Sequence, residues 1–288
     1  MGLFDPPRSA VADTVARALA EDLVPLGDVT SALVPADATT TARFVSRQAG
    51  VLAGTACATE AFAQVDPAVH VAWAASDGDR IEPGRVLGTV TGPLAPVLTA
   101  ERTALNFLCH LSGIATLTRA FVDAAAEGGA AQVWDTRKTT PGLRTLEKAA
   151  VRAGGAVNHR GNLSEWVMFK DNHLALLGIG EAVAAAHRAW PGKLVHVEAG
   201  DLDELRQALA AGADAVLLDN MSPDEARAAV EAVDAWVAEH GGRRPLLECS
   251  GGITIETAAA YAATGVDLLS TSQITQSAPA LDIGLDID

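Results

Sequence analysis

From about Ala130 to the C-terminus the chain repeats one unit, a short apolar run followed by an alanine-rich amphipathic stretch. The runs are AQVWD, GAVNH, WVMFK, LVHVE, AVLLD, PLLEC and DLLS, seven candidate strands of buried-strand length. Intervening stretches such as DLDELRQALAAG and SPDEARAAVEAVDAWVAEH have helical spacing, open on a capping residue and close near glycine. Alternation on this scale predicts an α/β fold with parallel strands, either a βα-barrel or a doubly wound sheet. The strand ends favour the barrel. Asp135, His159, Lys170, Glu198, Asp219, Glu248 and Ser270 all fall at or just before the carboxyl ends of their runs, where a barrel gathers catalytic groups into one mouth. A dinucleotide-binding sheet would need a glycine fingerprint after its first strand, and none follows AQVWD.

Residues 1 to about 105 follow a different pattern. A helix is predicted near Ser9 to Asp22, followed by β-rich segments (TTARFVSRQ, HVAWAAS, RVLGTVTG) with turn signals at Asp77-Gly78 and Pro83-Gly84. This predicts a small α+β domain. DGDRIEPGRVLGTV resembles the hairpins of biotinyl or lipoyl carriers, but those need a lysine at the turn, and no lysine precedes Lys138. An ordinary hairpin is therefore expected. The stretch from Thr99 to Glu127 has a long helical period and leads towards the barrel. The expected division is a first domain over residues 1–105 and a barrel over 106–288, with the C-terminal tail able to return to the first.

At 288 residues and 49% hydrophobic content the chain can bury a large core. Its net charge of −15 argues against nucleic acid as a partner, because phosphate binding needs a broad basic face. Cys57, Cys109 and Cys249 form no CxxC pair and suggest neither a disulfide framework nor a zinc site. The start MGLFDPPRSA has no apolar segment of a secretory signal, and Pro6 breaks the acylation pattern that Gly2 would suggest. No apolar run is expected to reach membrane-spanning length, so a reducing cytoplasm is the expected location.

Seven of the 21 Lys and Arg residues lie between Arg137 and Lys170, against only Glu147 and Glu165. That window is +5, leaving −20 for the remainder of the chain. An acidic protein that gathers its cations in one stretch is building a pocket for a small, multiply charged anion. Three of the chain's four lysines (Lys138, Lys148, Lys170 and Lys193) lie there, and a compact point charge differs in use from arginine's planar fork. An isolated arginine is ordinarily a solvated surface charge. Arg137-Lys138 directly after one strand, with His159-Arg160 after the next, is not that pattern.

These blocks carry a resemblance. DTRKTTPGLRTLEKAAVRAGGAVNHR, KDNHL, LLDNMSPDE, ECSGGI and LDIGLDI, with GDVTS, AGVLAG and ERTALNFLCHLSGIATLT upstream, are similar to the quinolinate phosphoribosyltransferases over nearly the whole chain. The resemblance implies an N-terminal α/β sandwich and an incomplete, seven-stranded βα-barrel. It also implies a reaction in which quinolinate and phosphoribosyl pyrophosphate give nicotinate mononucleotide, pyrophosphate and carbon dioxide. By the same resemblance Arg137, His159, Arg160 and Lys170 hold the two carboxylates, and Arg102 is contributed across a homodimer interface. Lys138 meets a pyrophosphate oxygen, and Glu198 and Asp219 take magnesium with the pyrophosphate and ribose hydroxyls. Ser250, Gly251 and Gly252, ahead of a helix starting near Thr254, and Ser272 and Gln276 in the last loop, form the phosphate site. Backbone amides after the last barrel strands suit a phosphate.

The chain departs from the family's usual pattern in three places. Ser272-Gln273-Ile274-Thr275-Gln276-Ser277 stands where Gly-Ala-Leu-Thr-His-Ser is typical, His196 replaces a glutamate, and Gly161-Asn162 follows the NHR run. Alternatives remain on the sequence. A same-fold paralogue, of the molybdenum-transport or secondary-metabolism type, would typically lack Asn158 and the Lys170-Asp171-Asn172-His173 block, both present here. A Schiff-base aldolase would need Lys138 or Lys170 desolvated in an apolar pocket. The alternative for Glu198 and Asp219 is that each caps a neighbouring helix or pairs with a basic strand-end residue. Cys109, Cys249 and His110 are expected to be packing residues.

Overall fold

The computed structural model describes residues 5–287; Gly2 lies outside them. In chain order the elements are α1 Arg8–Leu23, β1 Thr39–Ser46, β2 Gly50–Val51, α2 Thr55–Val65, β3 His70–Trp73, β4 Arg80–Ile81, β5 Val86–Pro93 and α3 Leu94–Gly128. There follow β6 Gln132–Trp134, α4 Arg144–Ala153, β7 Val167–Phe169, α5 Asp171–Leu177, α6 Ile179–Ala189, β8 Val195–Ala199, α7 Leu202–Ala211 and β9 Ala215–Asp219. The remainder is α8 Pro223–His240, β10 Leu246–Ser250, α9 Ile255–Ala262, β11 Leu268–Ser270, α10 Gln273–Gln276 and β12 Ile283–Ile287.

The chain forms two compact units, each discontinuous in sequence. The first holds residues 1–119, 138–155 and 274–288, and the second holds 120–137 and 156–273.

The first unit is built on an antiparallel sheet of order β12-β1-β5-β3. The C-terminal tail supplies its edge strand, Ala42 to Ser46 pairing with Ile287 to Ile283. Phe44 stacks on Trp73 at 4.8 Å and meets Phe62 edge-on at 6.1 Å, tying α2 to the sheet. The segment expected to be a hairpin is not one. β4 pairs with β2, while β5 pairs with β1 and β3, so the turn at Pro83-Gly84 passes the chain between two sheets. Gly113 on α3 has a steric cause: a Cβ there would lie 2.0 Å from the Pro279 carbonyl oxygen of the returning tail. α3 also exceeds the expectation for apolar runs. Its most apolar window has a mean hydropathy of 1.2, enough by length and composition for a membrane span, yet 56% of that window is buried inside the protein.

The second unit is a parallel sheet of order β6-β11-β10-β9-β8-β7, with Val157 bridging to Trp134 on the far side of β6. β6 comes first in sequence and pairs with the last strand, β11, which is the strand order of a barrel opened between β6 and β7. Among the described residues no pairing links the Val157 segment to β7. The barrel is therefore incomplete, and the GAVNH run is a single bridge, not a full strand. Its helices start and stop on their predicted caps. The Asp201 carboxylate accepts from the Asp203 and Glu204 amides and Gly212 closes α7 in the left-handed region, while Ser222 and Glu225 form a reciprocal box at α8.

In the first unit, Asp28 of the GDVTS block shows how one polar residue fixes a loop. Its carboxylate accepts from the Thr30 and Ser31 amides (3.0 and 2.9 Å) and from the Ser31 and Thr99 hydroxyls (2.6 and 3.0 Å). The Ser31 bonds are the chief cause of a carboxyl pKa pulled down to about 2. A depressed carboxyl stabilises the fold above its unfolded pKa, and the contribution is lost as pH falls through the folded value. Asp28→Ala is expected to cost about 1–2 kcal/mol at neutral pH. The difference from the parent protein should shrink as urea unfolding is repeated from pH 4 towards pH 2.

Candidate active site

Adjacent residues on parallel strands share a face, so register sorts the barrel's inner surface into rows. Glu198, Leu217, Glu248 and Leu268 form one row. Asp219, Ser250, Ser270 and Trp134 form the next, nearer the carboxyl ends. His196 lies level with Met168 and Ala215, one row below Glu198. On β8 the alternate residues Val195 and Val197 are fully buried on the opposite face, towards α6 and α7. The period of two thus puts polar side chains inside and apolar ones under the helices.

The acidic side is assembled at the ends of β8 and β9. Glu198 forms an ion pair with Lys170, which follows β7, so one of the sequence alternatives, pairing with a basic strand-end residue, holds for Glu198 in this state. Asp219 accepts from Asn220 Nδ2 at 2.8 Å, and the Asn220 amide donates to the Ser250 carbonyl at 2.8 Å. That bond sets the Asp219-Asn220 turn against the Ser250-Gly251-Gly252 loop. Gly251 is required there, because with φ at +103° a Cβ would lie 2.2 Å from Asn220 Oδ1. Beside these groups is a cavity of about 490 Å³ whose lining includes Asp171, Glu198, Glu204 and Asp219 and no lysine or arginine. Four carboxylates, one of them paired with Lys170, form a donor set suited to a hard dication.

The basic side depends on Asp135. Fully buried at the end of β6, its carboxylate accepts from the His159 amide and from Asn158 Nδ2, both at 2.8 Å. It therefore shapes the NHR segment that lacks strand pairing of its own. Arg160 is buried, and its Nη1 donates to the Trp166 carbonyl at 3.3 Å. Burial, and then the charge of Arg137, pull the Arg160 guanidinium below its usual range. Two like charges held together in a partly desolvated wall call for an anion. The His159 ring lies 5.0 Å from Trp166 and 5.6 Å from Trp134, inside an aromatic wall.

Beneath these groups Glu248 Oε2 lies 3.5 Å from His196 Nε2 and 3.6 Å from His159 Nε2. Burial opposes the charge of Glu248, but the approach of His159, the field of the two imidazoles and the neighbouring Ser270 hold its pKa below the usual carboxyl value. His196 is pushed down to about 4 by burial, against the pull of Glu248. Arg160 Nε, the indole N–H groups of Trp134 and Trp166, His196 Nε2 and both Glu248 oxygens are buried without a hydrogen bond of ordinary geometry. Such orphans are costly and rare in native proteins, and their concentration in the barrel interior marks a ligand site.

Other expected site residues belong to the first unit: Arg102, Lys138 and Gln276, all exposed. The Lys138 carbonyl accepts from the Thr275 hydroxyl at 2.8 Å. Ser272, half-buried after β11, belongs to the second unit. His110, expected to be a packing residue, lines a first-unit cavity of about 540 Å³ with Arg17, Asp22, Asn106 and Thr140. Its Nε2 lies 2.9 Å from the buried Glu147, whose other oxygen accepts from the Thr140 amide. His173, read in the sequence only as part of the Lys170-Asp171-Asn172-His173 block, accepts the Lys170 amide at its Nδ1 and so caps α5. Sequence reading missed the aromatic wall, since Trp134 and Trp166 become neighbours of His159 only by folding. Cys249 is buried, with its thiol pushed up to about 12, and Cys109 is half-buried against the Ile283 carbonyl.

Residues 28–112 match the N-terminal domain of quinolinate phosphoribosyl transferase and residues 114–286 its C-terminal domain. The nicotinate-nucleotide pyrophosphorylase (carboxylating) of Mycobacterium leprae is 43% identical, with 99% of this chain and all of the relative covered. A probable enzyme of the same name from Bacillus subtilis is 40% identical over 91% of this chain and 88% of its own. Among solved structures, the Francisella tularensis nicotinate-nucleotide pyrophosphorylase superposes with a TM-score of 0.92 at 37% identity, covering 99% of this chain and 98% of that one.

Asp135 allows a direct test of how the basic side is held. Asp135→Ala removes the acceptor of two buried or half-buried donors and should cost about 2–4 kcal/mol in urea unfolding. A loss under about 1 kcal/mol would show that the NHR segment is held by other contacts.

Proposed function

Because the chain belongs to the quinolinate phosphoribosyltransferase family, we propose that it transfers the phosphoribosyl group of phosphoribosyl pyrophosphate to quinolinate with decarboxylation. It is a pentosyltransferase of NAD biosynthesis, yielding nicotinate mononucleotide, pyrophosphate and carbon dioxide. The observation that carries the assignment of roles is charge placement. The Arg137–Arg160 pair lines one side of the barrel interior, and the strand-end carboxylates Glu198 and Asp219 lie on neighbouring strands.

Quinolinate is a dianion. Arg137, His159 and Arg160 bind its carboxylates through charge-assisted hydrogen bonds, and Lys170 leaves Glu198 to join them. With the ring so fixed, the pyridine nitrogen attacks the ribose C1 as the bond to pyrophosphate breaks, and fixed charges stabilise the oxocarbenium-like transition state. Lys138 meets the departing pyrophosphate as a point charge. The Ser250-Gly251-Gly252 loop, Ser272 and Gln276 hold the 5′-phosphate, Gln276 donating through its amide where the family's histidine is replaced. Once the ring nitrogen is cationic, the carboxylate next to it leaves as carbon dioxide, its bonding electrons stabilised by that charge. No protein nucleophile takes part. Glu198 and Asp219 would hold magnesium, a role supported by the carboxylate-lined cavity beside them. When bound, the ion supplies charge neutralisation to the pyrophosphate.

The working unit is a homodimer in which Arg102 of each chain serves the partner's site, and its location is the cytoplasm. Partners are the two small-molecule substrates, without nucleic acid or membrane. A paralogue's acceptor, another anionic heterocycle, is the second reading, favoured by His196 and Gln276.

With quinolinate, phosphoribosyl pyrophosphate and magnesium, purified protein should form nicotinate mononucleotide, detected by chromatography. Nicotinate should be a poor acceptor; equal use would mean that the second carboxylate goes unrecognised. Arg137→Ala and Arg160→Ala should each cost on the order of 2–5 kcal/mol in kcat/KM for quinolinate. Mixing inactive Arg102→Ala and Lys138→Ala chains should restore part of the activity. No recovery despite demonstrated subunit exchange would remove Arg102 from the shared site.

A further inference from the structure

The reaction assigned to the barrel makes no use of His196 or of the buried Glu248 carboxylate. Together with His159 they form a group in which one ligand atom from each residue lies within 4.8 Å of the others. It is the only group of three or more such side chains brought this close among the described residues. The side chains of His196 and Glu248 are only 3% and 1% exposed. His196 Nε2 and both carboxylate oxygens make no hydrogen bond of ordinary geometry. His196 and Glu248, deeply buried beside His159, are an incomplete polar cluster.

The geometry fits a small dication. Imidazole nitrogens and carboxylate oxygens bind zinc at about 2.0–2.2 Å, so two such atoms on a tetrahedral ion are about 3.4 Å apart. The two nitrogen–oxygen separations here are 3.5 and 3.6 Å and all three ligand atoms lie within 4.8 Å of one another, so binding draws the two histidine nitrogens inwards. Two histidines and one glutamate with the fourth position open is a donor set that zinc uses in enzymes. The surroundings bear on selectivity. Arg160 and Lys170 both act electrostatically on this cluster, and their charge opposes any cation. A hard ion that keeps its waters gains little from imidazole, whereas zinc and its transition-metal neighbours gain strong bonds to nitrogen.

We infer that His159, His196 and Glu248 form a transition-metal site, best matched to zinc, whose occupation withdraws His159 from the acceptor carboxylate and inhibits the enzyme in competition with quinolinate. The inhibitory part rests on the role proposed for His159. The site itself does not.

The test uses the full-length protein, stripped with a chelator that is then removed, and titrated with cobalt(II) alone while visible absorption is followed. One equivalent is expected to bind with the intense bands of a four-coordinate ion, to be released by zinc(II), and to be unaffected by a large excess of magnesium. His196→Gln and Glu248→Gln should each weaken binding at least tenfold, their folding checked by circular dichroism. Asp219→Asn, which disables the proposed magnesium site, should leave cobalt binding unchanged. Absence of the bands in the parent protein, or unchanged binding in either folded variant, overturns the site. Quinolinate should displace the cobalt. If cobalt binds as expected and quinolinate fails to displace it, the metal site stands and the shared use of His159 is overturned.

Discussion

The second unit depends on the register of its parallel sheet. Six strands pair in an order that sets the first beside the last, and helices pack against the sheet. Once β8 to β11 are locked residue against residue, Glu198 lies level with Leu217 and Glu248, and Asp219 lies level with Ser250 and Ser270. A slip of one residue on β8 would send His196 and Glu198 into the helix layer and Val195 and Val197 to the interior. Few substitutions would be more damaging, since it would bury charge against apolar helices and remove the carboxylate that pairs with Lys170.

Closure is unfinished at one place, and the chemistry gathers beside it. The segment around Val157 makes one bridge and no strand, so its backbone must be held by side chains. Asp135 does this with two 2.8 Å hydrogen bonds, one to the His159 amide and one to Asn158. An irregular segment held from below can direct His159 and Arg160 inwards, which a fully paired strand, with alternate residues on opposite faces, could not do for two neighbours.

Electrostatics explains why such an interior is tolerable. Arg137 and Arg160 repel one another while partly desolvated, and Glu248 lies below them with neither oxygen in an ordinary hydrogen bond. These are destabilising features taken singly. They suit the dianionic acceptor and the cation proposed above, and features of this kind give up stability in exchange for binding energy. The cysteines have no such role: Cys57 and Cys249 are buried and their thiols are pushed up to about 12 by burial.

The sequence by itself determined most of the element types, the GAVNH run excepted, the strand-end placement of Asp135, Lys170, Glu198, Asp219 and Glu248, and the cation-rich window, because period, capping and net charge are local properties of the chain. Asp201, Ser222 and Gly212 cap their helices where local rules require it. The family was legible too, since its blocks are contiguous. What only the tertiary structure decided is which distant residues meet. The turn at Pro83-Gly84 has the local signature of a hairpin, yet β4 pairs with β2, because pairing is settled by what else lies beside each strand. The returning tail and Gly113 are 166 residues apart at Pro279. His196 reads in the sequence as an isolated departure from a family pattern, and its approach to Glu248 and His159 exists only because β8 and β10 share one inner surface with the NHR segment. Local rules fix what each segment is; long-range packing, which carries no local sequence signal, fixes what each segment touches.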